Sequence, residues 1–338
     1  MEQIAKLVRP NILKLKPYSS ARDEFTGKEG IFLDANENPF GDLNRYPDPY
    51  QKALKENLSL LKNIPTNQIF VGNGSDEVID ILYRIFCEPN QDKVIICPPT
   101  YGMYEVSANI NNVEIVKIPL TENFQMDVPE IQKNKDTKML FLCSPNNPTG
   151  NSLNEIEKVL SFFQGMVIVD EAYIDFSSSP SFIEKLKFYP NLVIMQTFSK
   201  ALGLAGARVG MAYAHEYIIA LMNKVKPPYN VSQLNQEAAL QALKNQVVFS
   251  EQKAIILAQK EWLKNSLKEI DYVKKIYPSE ANFWLVEVEE ADKLYNYLIE
   301  KKVIIRNRNT VVPNCIRITV GTEAENKQLI KEMKQFTN

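Results

Sequence analysis

The chain has 338 residues, which is too long for one ordinary hydrophobic core and predicts two domains, or one large domain with an appendage. Hydrophobic residues make up 45% of the sequence and charged residues 24%, a balance typical of a soluble globular protein. The net charge of −2, with no basic stripe or lysine-rich tail, gives no electrostatic support for a nucleic-acid partner or an anionic membrane surface.

Several features favour a cytoplasmic protein. The N-terminus lacks the apolar core of a signal peptide, and no stretch approaches the ~18 apolar residues needed to cross a bilayer. The four cysteines, Cys87, Cys97, Cys143 and Cys315, lie far apart, and His215 is the single histidine. We therefore expect reduced cysteines and no metal site. Because no nucleophile motif lies near His215, a histidine-dependent hydrolase is not favoured, and lysine is the natural candidate for proton transfer.

The first part of the chain predicts an arm followed by an α/β domain. The first 33 residues carry many turn formers and predict an irregular arm. A helix with one broad apolar face is predicted at residues 75–87, and another between residues 153 and 163. Short apolar runs predict strands at residues 94–97, 139–143, 166–169 and 192–195. This alternation predicts a large α/β domain over residues 34–232, with a mostly parallel sheet flanked by helices.

Beyond residue 232 the pattern changes. Long charged helices are followed by apolar runs at residues 282–286, 303–306 and 316–320. This layout predicts a smaller α+β domain over residues 233–338, with the N-terminal arm of residues 1–33 packing with it. In open α/β sheets, ligands bind beyond the carboxyl ends of the strands, so the residues after each strand of the large domain are candidates for a functional site.

Two charged residues follow apolar runs of the large domain. Asp170 comes directly after the run 166–169, where a carboxylate is costly to bury unless a cation faces it, although an ordinary acid at a strand end explains it as well. Lys200 lies between Phe198 and a stretch rich in glycine and alanine. Apolar surroundings disfavour the ammonium form and lower the pKa of the amine from about 10.4, which makes it a nucleophile suited to Schiff-base chemistry.

Two loops carry signals for anion and cofactor binding. Residues 72–77 (GNGSDE) enter the helix predicted at 75–87, whose N-terminus offers unpaired N–H groups to a phosphate, although a simple helix cap explains the same pattern. Residues 144–150 (SPNNPTG) by themselves indicate only a turn. Together with Asp170, Lys200 and Arg208 they supply an amine, a carboxylate, polar donors and cations. An aldehyde cofactor with a pyridine ring and a phosphate requires this set.

Nearly the whole chain resembles the histidinol-phosphate aminotransferase family, a branch of the fold type I pyridoxal-phosphate enzymes. The resemblance rests on RPN at 9–11, PY at 17–18, LDANENP at 33–39, NRYPD at 44–48, PTYGMY at 99–104, PNNPTG at 145–150, DEAY at 170–173, TFSKALGLAGARVG at 197–210 and IRITVGT at 316–322. The segment from Lys200 to Arg208 is specific for the superfamily, and NENP, RYPD and TFSKA together indicate this branch. Family members often have asparagine where this chain has Ser144, whereas Asn147 is retained.

The resemblance implies pyridoxal 5'-phosphate as the cofactor and gives each matching residue a role. Lys200 would be the Schiff-base lysine and the proton shuttle, and Asp170 would pair with the ring nitrogen. Asn147 and Tyr173 would form hydrogen bonds with the ring hydroxyl, and Tyr101 would stack on the ring face. The residues that would surround the phosphate, largely through backbone N–H groups of the first loop, are Gly74, Ser75, Asp76, Ser199 and Arg208.

The resemblance also implies the substrates: L-histidinol phosphate and 2-oxoglutarate, converted by a ping-pong reaction of histidine biosynthesis to imidazole acetol phosphate and glutamate. Arg317 matches the arginine that holds the substrate's anionic group, and a guanidinium can grip a carboxylate or a phosphate with two hydrogen bonds. Arg306, Tyr18 and Asn36 are further substrate-site candidates by motif position. In this family a tyrosine at the position of Tyr46 reaches the cofactor phosphate of the neighbouring subunit, which implies a homodimer.

Three alternatives stay open at this point. The nearest is another aminotransferase of the same superfamily, acting on aromatic or branched amino acids. The second is a related decarboxylase of the threonine-phosphate type, which would share the arm motifs and the arginine for the phosphate. The third is a binding or regulatory protein on the same fold, which the joint retention of Lys200, Asp170 and Arg208 disfavours.

Overall fold

The computed structural model describes residues 2–18 and 30–337. Its strands are β1 (Ile69–Asn73), β2 (Lys93–Ile96), β3 (Glu114–Lys117), β4 (Met139–Cys143), β5 (Met166–Asp170), β6 (Leu192–Thr197), β7 (Val209–Ala214), β8 (Val273–Ile276), β9 (Phe283–Val288), β10 (Arg306–Asn307) and β11 (Cys315–Thr319). Its α-helices are Glu2–Leu7, Pro10–Lys14, Lys52–Lys62, Ser75–Phe86, Met103–Ile110, Val128–Lys133, Ile156–Phe162, Glu216–Val225, Gln233–Lys244, Gln246–Leu267, Ala291–Glu300 and Glu323–Gln335. Within the described residues, no helix combines the length and apolarity needed to cross a membrane.

Strands β1 to β7 form one sheet in the order β1-β7-β6-β5-β4-β2-β3. Strand β7 runs antiparallel to both of its neighbours, β1 and β6, while the other pairs are parallel. The predicted large domain with a mostly parallel sheet flanked by helices is therefore confirmed. The carboxyl ends of β4, β5 and β6 lie side by side at one edge, where the candidate residues of the sequence follow.

The strand β4 shows why such apolar runs form the centre of the sheet. All five of its residues are buried, and they alternate between two hydrophobic cores. Leu140 and Leu142 belong to one core, while Phe141 and Cys143 belong to the other. Because successive side chains of a strand point to opposite faces, a continuous apolar run is stable in a strand that helices cover on both faces. Full burial of a large apolar side chain of this kind stabilises the folded state by roughly 1.5–3 kcal/mol.

Strands β8 to β11 form a smaller antiparallel sheet in the order β10-β11-β9-β8. On β11, Ile316 and Ile318 are buried in the core of this domain, and Arg317 between them faces the other way. The strand predicted at 303–306 is shorter than expected and is reduced to Arg306–Asn307. The preceding residues close a helix instead: Lys302 has a φ of 60°, and the N–H of Val303 donates to the carbonyl of Leu298.

The described part of the N-terminal arm packs on the large domain. Where an irregular arm was expected, the described residues form two short helices, with Ile4 in the first, Ile12 in the second and Val8 between them, and all three are buried in a core of the large sheet. The N–H of Arg9 also donates to the carbonyl of Ile85 at 2.9 Å. This packing differs from the expectation that the arm packs with the small domain. Residues 19–29 of the arm lie outside the described residues.

The helix Gln233–Lys244 also packs with the large domain. Its residues Ala239 and Leu243 are buried in a large-sheet core, and its N-terminus is capped by Ser232. The helix Gln246–Leu267 then leads away, and its residues Leu263 and Leu267 belong to the small-domain core. The sequence placed the start of the small domain at residue 233, one helix earlier than this packing indicates.

A carboxylate fastens the two domains together where the chain enters β9. Glu280 accepts hydrogen bonds from Ser152 (3.0 Å), from Ser177 and from Ser179 (3.3 Å), all of which follow strands of the large sheet. Its N–H donates to the carbonyl of Gly150 at 2.7 Å. Four contacts thus join this point of the small domain to the loops that begin at the carboxyl ends of β4 and β5.

Candidate active site

A pocket opens beyond the carboxyl ends of β4, β5 and β6. The residues that line it are Ser75, Asp76, Tyr101, Cys143, Asn147, Asp170, Ala172, Tyr173, Thr197, Ser199, Lys200 and Arg208. Nine of these were predicted from the sequence, and Gly74 precedes the helix that begins at Ser75. The structure therefore brings together the residues predicted to hold one ligand.

Asp170 forms the floor of the pocket as the last residue of β5, and only 3% of its surface is exposed. Its Oδ2 accepts a hydrogen bond from the hydroxyl of Tyr104 at 2.7 Å, and its Oδ1 accepts one from the N–H of Ala172 at 3.0 Å. Burial raises the pKa of Asp170 to about 6, and these two hydrogen bonds oppose the rise. A carboxylate held in this way is best stabilised by a cationic N–H group placed over it.

Lys200 stands across the pocket, directly after the turn that follows β6. Its side chain is accessible through the open mouth of the pocket, with Nζ 5.5 Å from the centre of the Tyr173 ring. Partial burial and the charge of Arg317 lower the pKa of the Lys200 amine, and the charge of Asp170 opposes them. The neutral, nucleophilic form of the amine is therefore easier to reach than in an ordinary lysine.

The loop before the helix Ser75–Phe86 forms an anion cradle with Arg208. Gly74 has a φ of 79°, and a Cβ placed on it would lie 2.6 Å from Nη2 of Arg208. Gly210 is in an equally close contact, since a Cβ placed on it would lie 2.3 Å from the backbone nitrogen of Ser75. The two glycines thus let the loop and the arginine approach each other. The free N–H groups at the helix start and the guanidinium then face the same space, which suits a phosphate.

Asp76 organises this corner through its side chain. Its Oδ1 accepts a hydrogen bond from the hydroxyl of Tyr101 at 3.0 Å, and its Oδ2 lies 3.5 Å from Nη2 of Arg208. A carboxylate would repel a phosphate, so a phosphate contact from Asp76 would have to come from its backbone N–H. The side chain instead sets the positions of the aromatic ring and the arginine.

Asn147 links the large domain to the small one. Its Nδ2 donates to the hydroxyl of Tyr173 at 3.4 Å, and its Oδ1 accepts a hydrogen bond from Nη1 of Arg317. The Arg317 guanidinium also lies 5.1 Å from the centre of the Phe283 ring. Its Nε is buried and has no hydrogen-bond partner among residues 2–18 and 30–337. Burial lowers the pKa of Arg317, so an anion that reached it would meet a poorly solvated cation.

Six predicted residues are not among those that line this pocket: Gly74 precedes the helix at its rim, Arg317 reaches it through Asn147, and four others lie further away. Tyr46 is half-exposed and stacks on Tyr229 with ring centres 4.4 Å apart. Asn36 lines the same surface depression as Tyr46, and Tyr18 lines a different one. Arg306 lies opposite Arg317 in the β10–β11 pair and is exposed. The structure therefore places Arg306 near the pocket and leaves the other three on the surface of this single chain.

Two residues of the site were missed in the sequence. Tyr104 follows Tyr101 by three residues, and this spacing puts both on one side of a helical turn, which was the available signal. Arg308 follows Arg306 by two residues, the strand spacing that puts both on one face. Burial and the charges of Arg317 and Arg306 lower the pKa of Arg308 to about 10. Three arginines thus converge where an anionic substrate group was expected.

Comparisons with known proteins agree with this geometry. The family described as aminotransferase class I and II matches residues 27–333. The histidinol-phosphate aminotransferase of Christiangramia forsetii is 53% identical over 344 residues, covering 99% of this chain and 98% of the relative, and that of Cytophaga hutchinsonii is 51% identical with 98% of each covered. The chain belongs to the histidinol-phosphate aminotransferase family.

The fold of this aminotransferase matches solved members of the family. The crystal structure of the histidinol-phosphate aminotransferase from Clostridium acetobutylicum superimposes with a TM-score of 0.80 and 26% sequence identity, covering 87% of this chain and 90% of that one. The resemblance stated from the sequence motifs is therefore confirmed. In an aminotransferase, a buried carboxylate, a lysine of lowered pKa and an anion cradle in one pocket are the parts that bind an aldehyde cofactor and move a proton.

Proposed function

We propose that the chain transfers the amino group of L-histidinol phosphate to 2-oxoglutarate, giving imidazole acetol phosphate and glutamate, with pyridoxal 5'-phosphate as cofactor. The observation that carries the proposal is the pocket that joins Lys200, Asp170 and Arg208 in a chain of this family. The choice of substrate is supported by relatives of this name that are about half identical over nearly their whole length.

The pocket fits this cofactor. The close approach of Gly74 to Arg208 leaves a cradle for its phosphate, and the buried Asp170 offers a partner to a protonated ring nitrogen. When bound, the cofactor supplies an aldehyde that condenses with amines and a ring that withdraws electrons from the substrate. Ser75, Ser199 and Arg208 would hold the phosphate, and Tyr101 would stack on the ring.

Lys200 would carry both the Schiff-base link and the proton. The carbon of L-histidinol phosphate that carries the amino group has no carboxylate, so the bond to be broken there is C–H. A base must accept that proton, and Lys200 is the pocket residue whose pKa is lowered towards this task. The reaction would proceed by a ping-pong sequence, with the same lysine acting in both halves.

Asn147 and Tyr173 would hold the ring hydroxyl, since they already share a hydrogen bond beside the pocket. Arg317 would hold the anionic group of either substrate, because a guanidinium suits both a phosphate and a carboxylate. Arg306 and Arg308 would add positive charge beside it. Tyr18 and Asn36 stay candidates for the substrate site by their motif positions.

We also propose a homodimer that works in the cytoplasm. Tyr46 lines a surface depression together with Leu43, which is 59% exposed, and Phe40, three residues before Leu43, is 82% exposed. Clustered apolar surface of this kind is typical of an interface. The motif position of Tyr46 then implies that it would contact the cofactor phosphate of the second copy. The four cysteines are buried and free, as expected in a reducing compartment.

The first experiment is to add L-histidinol phosphate, without a keto acid, to the purified protein loaded with pyridoxal 5'-phosphate. We expect the visible absorption band of the bound cofactor to bleach and to return when 2-oxoglutarate is added. Glutamate and imidazole acetol phosphate should appear in equal amounts. An unchanged band would refute the substrate while leaving cofactor binding intact.

The decarboxylase alternative is separated by a second assay. The same protein is given O-phospho-L-threonine, and released carbon dioxide is measured. We expect none above the level of a Lys200→Ala control. Aromatic and branched amino acids, tested as amino donors at equal concentration, should support slower exchange than L-histidinol phosphate, because they lack the phosphate that the arginines would bind.

A further inference from the structure

Tyr104 is the side chain that connects the floor of the pocket to the interior of the large domain. It is fully buried on the helix Met103–Ile110, and its hydroxyl donates to Oδ2 of Asp170 at 2.7 Å. This is the shorter of the two hydrogen bonds described for the Asp170 carboxylate. The other comes from the N–H of Ala172 to Oδ1. One donor on each oxygen fixes the plane of the carboxylate.

Tyr104 is itself held firmly. Its ring stacks on Phe141 with centres 4.9 Å apart, and its carbonyl accepts a hydrogen bond from the hydroxyl of Tyr83 at 2.9 Å. Its ring also meets the edge of Tyr101, with centres 5.6 Å apart. This packing fixes the ring so that its hydroxyl reaches Oδ2 of Asp170, with the thiol of Cys143 as a second neighbour.

We propose that Tyr104 is a positioning residue that orients Asp170 and keeps it ionised towards the ring nitrogen of the bound cofactor. A hydrogen bond donated to a carboxylate stabilises the charged form. Without this donor, Oδ2 of a buried carboxylate would lose its protein partner, and the protonated form of Asp170 would be favoured. The inference rests on cofactor binding in the proposed function and does not depend on the identity of the substrate.

Other titratable groups around Asp170 interact with its charge. They are Asp76 on the helix Ser75–Phe86, Cys143 at the end of β4, Lys200 after β6, and Tyr101 and Tyr173 at the pocket wall. The charge of Asp76 raises the pKa of Asp170, and the charge of Lys200 lowers it. Burial nevertheless raises the pKa of Asp170 to about 6. The hydrogen bond from the Tyr104 hydroxyl therefore opposes a large desolvation cost of the ionised carboxylate.

The test uses the whole protein loaded with pyridoxal 5'-phosphate carrying ¹⁵N in the ring, with no substrate added. In the wild type we expect the ¹⁵N chemical shift of a protonated ring. In Tyr104→Phe the shift should move towards that of a neutral pyridine, and the dissociation constant of the cofactor should rise roughly tenfold or more, as for loss of a hydrogen bond to a charged group.

Tyr83→Phe is the matched control. It removes one hydroxyl from an equally buried tyrosine of the same hydrogen-bonded chain, but one step further from Asp170. We expect its ¹⁵N shift to equal that of the wild type. Equal shifts in both variants and the wild type, or the same displacement in both variants, would overturn the proposal, because Tyr104 would then act only through packing.

A second measurement remains available if Tyr104→Phe does not fold. Replacement of Tyr104 by 3-fluorotyrosine makes the phenol a stronger donor while keeping its shape. In the cofactor-free protein, ¹³C titration of the Asp170 carboxyl should then give a lower pKa than in the wild type. An unchanged titration curve would overturn the proposal. Failure of the substrate assay described above would leave both of these results unaffected.

Discussion

Arg317 of the small domain donates a hydrogen bond from Nη1 to Oδ1 of Asn147 in the large domain, at 2.5 Å. In the proposed function, the arginine serves the anionic group of the substrate and the asparagine serves the ring hydroxyl of the cofactor. An anion that bound Arg317 through Nε and Nη2 would leave the hydrogen bond from Nη1 to Asn147 in place, so one guanidinium would hold both. Substrate binding is thereby linked to the hydrogen bonds around the cofactor.

Arg317→Ala should weaken both substrates. We expect kcat/KM to fall roughly hundredfold for L-histidinol phosphate and for glutamate, since hydrogen bonds to a charged group are lost from a buried site. Steady-state kinetics of the complete reaction in each direction, with the amino donor varied, measures this. Arg306→Ala, at the exposed cross-strand partner, should have a smaller effect. A loss confined to one substrate would show that the two anions do not share Arg317.

Lys200→Ala should abolish turnover, because we assign both the Schiff-base link and the proton transfer to this amine. Single-turnover measurements with the reconstituted variant should show a loss of at least about 10²–10⁴-fold, the usual contribution of a general base. Lys187→Ala removes an exposed lysine of the same domain and serves as the control. Turnover near the wild-type rate in the Lys200 variant would refute the mechanism.

Gly74→Ala should separate backbone strain from ligand binding when it is compared with Gly203→Ala. Both glycines have a positive φ, 79° and 68°, and Gly74 also has a ψ of 166°, a combination essentially restricted to glycine, so each change should cost roughly 1–3 kcal/mol of unfolding free energy. At Gly74 the new Cβ would also press on Arg208, whereas at Gly203 no described atom lies within 4 Å. We therefore expect lower melting temperatures in both variants, and weaker pyridoxal 5'-phosphate binding in the Gly74 variant alone. Equal cofactor affinities would argue against the cradle.

The stability of the cofactor-free protein should depend on pH through Asp170. Its pKa is raised from 3.8 to about 6 on folding, so the folded state binds the proton more tightly than the unfolded chain. The contribution of Asp170 to the free energy of unfolding therefore falls by roughly 3 kcal/mol as pH rises from about 4 to about 6, and it stays low above that range. Asp170→Asn should remove this dependence. Urea unfolding of both proteins at pH 4 and pH 8 measures it, and parallel pH profiles would contradict the assignment.

Arg308→Gln should show what the third arginine contributes to substrate binding. Its Nε is buried with no hydrogen-bond partner in the described part of the chain, and burial, together with the charges of Arg317 and Arg306, lowers its pKa to about 10. Removing one of three like charges should leave the melting temperature unchanged or higher, while KM for the phosphorylated substrate should rise several-fold, and more than KM for glutamate. An equal rise for both substrates would mean that Arg308 does not distinguish a phosphate from a carboxylate.

The sequence predicted the parts of the molecule that are encoded locally. The apolar run of β4 and the order of the loops along the chain were enough to predict the sheet and to bring Lys200 and Asp170 to one edge of it. Tyr104 and Arg308 were missed because their roles depend on which side chains fold against them. The packing of Ile4 on the large domain was missed for the same reason, since an apolar residue in the arm does not show which core it joins.

Glu280 gives the two domains a fixed point beside the pocket. Three serine hydroxyls and the Gly150 carbonyl fasten it to the loops that follow β4 and β5. Arg317 lies near the same end of the small sheet, since its cross-strand partner Leu285 is two residues from the start of β9. The contacts of Glu280 therefore also limit how far Arg317 can move from the loop that carries Asn147. The register of one short antiparallel sheet thus sets the distance between the arginine of the small domain and the asparagine of the large domain.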